Sequence, residues 1–311
     1  MKVSVIGAGN VGATCAEVIA HHEIVNEVVL LDIKENFAEG KALDIWETSA
    51  INMYDTRITG STNDYTKTAN SEVVVITSGL PRKPGMSRDD LISTNARIVK
   101  SVTQQVVKHS PNTIIIIVSN PLDVMTYCSY INSNFPSNRV FGMAGILDTG
   151  RYKAFLADEL NVSPKDISAV LMGGHGDTMV PLPRYTTVGG IPVTELIDKT
   201  KLDAIIDRTK KGGGEIVNLL GTSAWYAPGS AAAQMVEAII RDQKRVFPVC
   251  AMLNGEYGLK NIFLGVPVIL GKGGIERIIE LKLNDDEMKL VNESAKAVKE
   301  VMEVMDNLNL S

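Results

Sequence analysis

The chain has 311 residues, more than one small core usually serves, so one large α/β unit or two closely joined domains is expected and a disulfide-stapled peptide is excluded. Apolar residues make up 45% and charged residues 22%, the balance of a globular protein rather than a disordered one. Lysine and arginine number 31 against 36 aspartate and glutamate, a net charge of −5. No basic excess is left for nucleic acid, and any bound anion must be gripped locally.

The aliphatic run 3–6 reads as a buried strand that leads directly into Gly7-Ala8-Gly9-Asn10-Val11-Gly12 and a helical stretch over 13–20. Glycine at 7 permits a tight turn, at 9 lets a pyrophosphate approach the backbone, and at 12 lets helix and strand pack closely. The helix start then offers free N–H groups and a partial positive charge to phosphates. A second run, 28–31, ends at Asp32, about 20 residues further on, where a carboxylate receives the adenosine ribose hydroxyls and repels a ribose phosphate. NAD is therefore expected over NADP, although Lys34 is near enough to weaken that preference. The alternative is a structural glycine turn beside a solvated aspartate.

Runs 73–76 and 114–118 continue the βαβ rhythm, and apolar on both faces they suit a parallel sheet covered by helices on both sides. Between them lies a loop, 79–88, with glycines near both ends and cations at Arg82 and Arg88. It follows the carboxyl end of a strand, where open α/β sheets bind ligands, and suits a lid over an anion; a solvated basic loop is the alternative. The stretch 91–109 has helical periodicity and stops before Pro111. No run is long enough to cross a bilayer, and the glycines after residue 6 break any secretory signal, so no membrane association is expected.

Near residue 145 the rhythm changes to longer helices mixed with glycine- and proline-punctuated hairpins at 189–192 and 254–258. The expected division is a doubly wound, Rossmann-type dinucleotide domain over 1–145 and an α+β substrate domain over 146–311. Asp148 opens a helix reaching residue 160 and suits an N-cap as well as chemistry. A strand is expected over 167–172, then Gly173-Gly174-His175-Gly176-Asp177, where flanking glycines leave the imidazole open to a ligand unless it is simply a turn histidine. Asn284 with Glu287 forms a capping-box pattern for a helix to about residue 305. His21, His22 and His109 end helices and have structural readings. Cys15, Cys128 and Cys250 are widely spaced, which suggests neither disulfides nor a metal site and favours a reducing cytoplasm.

The ordered set Gly7-x-Gly-x-x-Gly12, Asp32, the Arg82/Arg88 loop, Ser119-Asn120-Pro121, Leu147-Asp148-x-x-Arg151 and Gly174-His175-Gly-Asp177 resembles the lactate/malate dehydrogenase family over nearly the whole chain. Within it the chain is most similar to the lactate-dehydrogenase-like branch of malate dehydrogenases. That resemblance implies His175 as proton acceptor with Asp148 orienting it, Arg151 and Asn120 on the substrate, and Arg88 polarising the carbonyl. It also implies cofactor contacts from Gly7 to Gly12, Asp32, Asn95, Val118 and Asn120, with NAD as cofactor and no metal. Arginine at 82, where lactate enzymes of the family have glutamine, implies a dicarboxylate, malate or oxaloacetate. A homotetramer built as a dimer of dimers, or a homodimer, and a role in the tricarboxylic acid cycle are implied as well. Lactate dehydrogenase is the nearest rival, and an inactive nucleotide-binding module is the alternative from another class. A short-chain dehydrogenase is disfavoured because no tyrosine has lysine four residues later.

Overall fold

The computed structural model describes residues 1–80 and 88–307. The first half contains β1 (Lys2–Ile6), α1 (Asn10–His21), β2 (Glu27–Asp32), α2 (Phe37–Glu47), α3 (Ser49–Asn52), β3 (Arg57–Thr62), β4 (Val73–Ile76), α4 (Arg88–His109), β5 (Ile114–Ile117), α5 (Leu122–Ser133) and β6 (Val140–Gly142). Its six strands are parallel in the order β3-β2-β1-β4-β5-β6. The four isoleucines of β5 are buried on both faces, each contributing roughly 1.5–3 kcal/mol relative to exposure. Such strands need helices above and below the sheet, and the βαβ connections supply them.

The second half runs α6 (Gly145–Leu160), β7 (Ile167–Ser168), β8 (Leu171–Met172), β9 (Val180–Pro181), β10 (Thr187–Val188), β11 (Ile191–Pro192) and α7 (Val193–Leu196). It continues with α8 (Lys199–Leu220), α9 (Tyr226–Ile240), β12 (Arg245–Asn254), β13 (Lys260–Gly271), β14 (Gly274–Ile278) and α10 (Asp285–Asp306). The two halves share one sheet: β12 pairs antiparallel with β6 through Cys250 and Gly142, and β13 and β14 extend it to nine strands. One hydrophobic core accordingly reaches from Val3 to Met305, while a smaller one around Tyr152, Leu156, Leu171 and Leu202 lies within the second half. Helix α9 lies against α1 so closely that a Cβ on Gly229 would come 2.7 Å from the Thr14 Cβ.

Two strands of the first half are absent from the sequence reading. β3 reads as polar, Arg-Ile-Thr-Gly-Ser-Thr, because it is an edge strand, and β6 is only three residues long. The single strand expected over 167–172 is corrected to two short ones, β7 paired with β10 and β8 with β9. Ala169 and Val170 separate them, and the Leu182 N–H donates to the Val170 carbonyl at 3.1 Å in the register of β8 with β9, so Val170 follows the second ladder and not the first. The hairpin at Gly189-Gly190 and the capping box of α10 appear as expected.

Candidate active site

The glycine turn sits at the carboxyl ends of β1, β2 and β4, beside a cavity of about 280 Å³ lined by Gly7, Gly9, Asp32, Tyr65, Thr77 and Gly79. Gly7 has φ +107°, and a Cβ on Gly12 would fall 1.8 Å from the Gly7 carbonyl oxygen, so both positions require glycine on steric grounds. A Cβ on Gly9 would meet no protein atom within 4 Å, which leaves backbone accessible where α1 begins. Asp32 accepts from the Ala8 N–H at 2.7 Å and the Lys34 N–H at 3.0 Å. The Lys34 ammonium itself lies 4.5 Å from the centre of the Phe37 ring, a cation–π contact that gives it a partner away from the Asp32 carboxylate. These residues fit a dinucleotide whose ribose meets Asp32 and whose phosphates meet the start of α1.

A second cavity, about 460 Å³, brings together Val11, Val118, Asn120, Arg151 and His175 from four separate stretches of chain. Asp148 is the fourth residue of α6, whose N-cap is Ala144, so the N-cap alternative for Asp148 is corrected: its side chain does not cap. Residues 148 and 151 share a helix face, and the buried Asp148 carboxylate receives Arg151 Nη1 at 3.2 Å and faces His175 Nδ1 at 2.9 Å. A carboxylate can only accept, so Nδ1 carries the hydrogen and Nε2 of the neutral ring is the free base. Burial pulls the His175 pKa down, but the charge and hydrogen bond of Asp148, helped by Asp123, outweigh it and the net shift is upward.

Arg151 is held in readiness. Its Nε is buried and has no hydrogen-bond partner among the described residues, a costly state unless an acceptor fills it. Gly212 makes room for the guanidinium stem, since a Cβ there would lie 3.2 Å from Arg151 Cδ. Asn95 stands behind the cleft rather than on it: buried, it accepts from the Leu80 N–H at 2.8 Å and donates to the Asn120 carbonyl at 2.7 Å. Arg82 lies outside the described residues, as does the Arg88 side chain, whose backbone opens α4. His21 bonds Asn52, and His22 lies 3.9 Å from Glu237.

Sequence reasoning missed several residues of this region. Lys210, Gly213, Ser223 and Ala224 line the second cavity, and Asp123 and Cys250 stand behind His175. Asp123 is adjacent to the Asn120-Pro121 segment in sequence, but nothing in its spacing signals a partner 52 residues away.

Comparison with known proteins agrees with this geometry. Residues 1–142 match the lactate/malate dehydrogenase NAD-binding domain, and residues 146–308 match the lactate/malate dehydrogenase alpha/beta C-terminal domain. The chain belongs to the lactate/malate dehydrogenase family. Within that family it is 71% identical to a malate dehydrogenase from Cytophaga hutchinsonii, with 99% of each chain covered. It superposes on malate dehydrogenase from Salinibacter ruber with a TM-score of 0.96 at 57% identity, covering 99% of each chain. A Cryptosporidium parvum lactate dehydrogenase complexed with lactic acid and nicotinamide adenine dinucleotide follows at TM-score 0.94 and 39% identity, covering 98% of each. The shared family fold thus accommodates both substrates, and discrimination must come from side chains.

Among the described residues no cluster of histidine, cysteine and carboxylate side chains could hold a metal ion, and no helix is long and apolar enough to cross a membrane.

Proposed function

We propose that the chain catalyses reversible hydride transfer between (S)-malate and NAD, giving oxaloacetate and NADH. The observation that carries this reading is the His175–Asp148 pair, 2.9 Å apart, in one cavity with Arg151, whose buried Nε bonds none of the described residues. NAD, when bound, supplies the hydride acceptor. His175 Nε2 takes the hydroxyl proton of malate and returns it in reduction, and Asp148 keeps the ring in the required tautomer and stabilises the imidazolium. Arg151 grips the carboxylate next to the reacting carbon with two parallel N–H bonds, which a lysine could not provide. Asn120 bonds the substrate near the nicotinamide, and Arg88 polarises the carbonyl as charge develops on its oxygen. Arg82 pairs with the second carboxylate and selects a dicarboxylate.

The division of labour follows the chain: residues 1–145 bind NAD through Gly7, Ala8, Gly9, Asn10, Val11, Gly12, Asp32 and Val118, with Asn95 bracing the edge of the cleft, and residues 146–311 supply the acid–base pair. Lactate oxidation is the second reading, favoured by the family's shared fold and disfavoured by arginine at 82. We further assign a cytoplasmic homo-oligomer, a homotetramer built as two dimers or a homodimer, serving the tricarboxylic acid cycle. Three buried free thiols suit a reducing compartment. Exposed apolar side chains at Ile51, Met53, Leu219 and Tyr226 support self-association.

Following NADH absorbance with oxaloacetate and with pyruvate, and repeating with NADPH, tests the assignment. A preference for oxaloacetate with NADH is the expected result. Equal or greater efficiency with pyruvate overturns the substrate, and equal use of NADPH overturns the cofactor.

A further inference from the structure

His175 is held from two sides, and only one of them belongs to the pair already described. Its main-chain N–H donates to Asp123 Oδ2 at 3.1 Å. The other oxygen, Oδ1, accepts from the Cys250 thiol at 3.2 Å. Asp123 is only 7% exposed and sits in the first turn of α5, where the helix dipole favours an anion. Its Oδ2 lies 3.3 Å from where a Cβ on Gly174 would stand, so the approach depends on the glycine beside the histidine. This buried carboxylate has donors on both oxygens, stands at a helix start and lies beside the imidazole, yet it is not among the residues lining the cavity of Val118, Asn120, Arg151 and His175.

We propose that Asp123 is a second, ionised positioning carboxylate for the proton-transfer imidazole: Asp148 fixes the ring, Asp123 fixes the backbone that carries it, and both negative charges favour the proton on Nε2. The proposal rests on His175 being the acid–base group. The groups facing the imidazole are Asp148 and Arg151 from α6, Asp123 from α5 with Cys250 of β12 behind it, Lys210 and Lys211 of α8 along the shared cavity, and Asp177 in its own loop. Helix α10 presents Ala297, Val298 and Val301 to the far side, together with the Ser294 hydroxyl, which accepts from the Gly174 N–H at 2.8 Å. Burial pushes the Asp123 carboxyl upward and outweighs the bonds from Cys250 and the His175 N–H, so the net shift is up and the geometry of those two donors, not the shift, is what argues for the anion. The thiol is thereby a stabiliser of the anion, which is consistent with burial and Asp123 both pushing the Cys250 pKa up.

The test is Asp123→Asn in the full-length protein, because an amide oxygen still accepts from the His175 N–H while the charge is gone. Nitrogen-15 NMR titration of the histidine ring, assigned by the signal missing in His175→Asn, is expected to show the His175 midpoint falling by about half a unit or more. The acid limb of kcat/KM for malate oxidation moves down with it, while KM for NAD stays within about twofold. A folded variant whose His175 midpoint is unchanged overturns the proposal. Should the variant not fold, carbon-13 NMR of the parent's aspartate carboxyls decides, the Asp123 signal being the one displaced in Cys250→Ala. Asp123 is expected to be ionised throughout the titration of His175, and a carboxyl already protonated at neutral pH sinks the idea. Both NMR readings are independent of which substrate is turned over, so failure here is separable from failure of the malate assignment.

Discussion

Asp148 Oδ2 lies 2.9 Å from His175 Nδ1 while Asp148 Oδ1 lies 3.2 Å from Arg151 Nη1, so one buried carboxylate orients both the base and the substrate clamp. Replacing it with asparagine, Asp148→Asn, would present an amide where two donors converge. The amide N–H₂ must then face either the guanidinium or the Nδ1 hydrogen, and the ring is driven toward the wrong tautomer. We expect kcat to fall by about 10²–10⁴, with NAD affinity preserved. Stopped-flow turnover together with fluorescence titration of NADH checks this, and a kcat within threefold of the parent would remove the pair from the mechanism.

The two directions of reaction should respond to pH with opposite sign. Burial lowers the His175 pKa, the Asp148 and Asp123 carboxylates together raise it more, and the net displacement is above the ordinary 6.5. Malate oxidation needs the neutral ring, so its kcat/KM rises as pH climbs through that raised value; oxaloacetate reduction needs the imidazolium and declines over the same interval. Stability follows the second pattern. The imidazolium–carboxylate pair stabilises the fold fully below the unfolded histidine pKa, and that contribution disappears as pH rises through the folded one. Initial-rate profiles in both directions, with unfolding midpoints measured in parallel, provide the check. Rates that move together with pH would contradict the assignment.

Substrate choice is expected to follow residue 82. With pyruvate in place of oxaloacetate, a closed site would bury an arginine without a partner, which is expensive. Arg82→Gln should therefore shift the ratio of kcat/KM values toward pyruvate by about tenfold or more. A variant with the parent's preference would place selectivity elsewhere in the cleft.

Asp32→Ala should raise the KM for NAD more than that for NADP. The Ala8 N–H bond at 2.7 Å is lost as well, so the glycine turn loosens and both cofactors bind less well, but only NADP gains from removing the negative charge. Unchanged discrimination between the two would mean that another group reads the ribose.

What was legible in the sequence was whatever local spacing encodes. The buried strands β1, β2, β4 and β5 announce themselves as aliphatic runs, Gly7 and Gly12 by the motif they share, and the α10 start by Asn284 and Glu287. Strand β3 was not legible because an edge strand needs no apolar run, and the division of 167–172 into β7 and β8 was not because the pairing of β8 depends on a chain that returns from residue 180. Among site residues, His175 stood out through its glycine neighbours. Asp123 did not, since its meaning comes only from contacts with residues 52 and 127 positions away. Asn95 is expected on the cofactor side by resemblance alone, and the bonds of its amide to the main chain of Leu80 and Asn120 are long-range contacts that no local spacing encodes.

The join between β6 and β12 has a bearing on how such a molecule can be dismantled. Cutting the chain at residue 145 would uncover the β6 backbone along a sheet edge and strip the α9 helix from the small-residue face of α1. An excised nucleotide half would present unsatisfied amides and bare apolar surface to other chains, inviting clumping instead of behaving as a portable module. Grafting experiments on this scaffold should accordingly carry α9 and all of β12, β13 and β14 along with the first half, so that the severed seam falls outside the nine-stranded sheet.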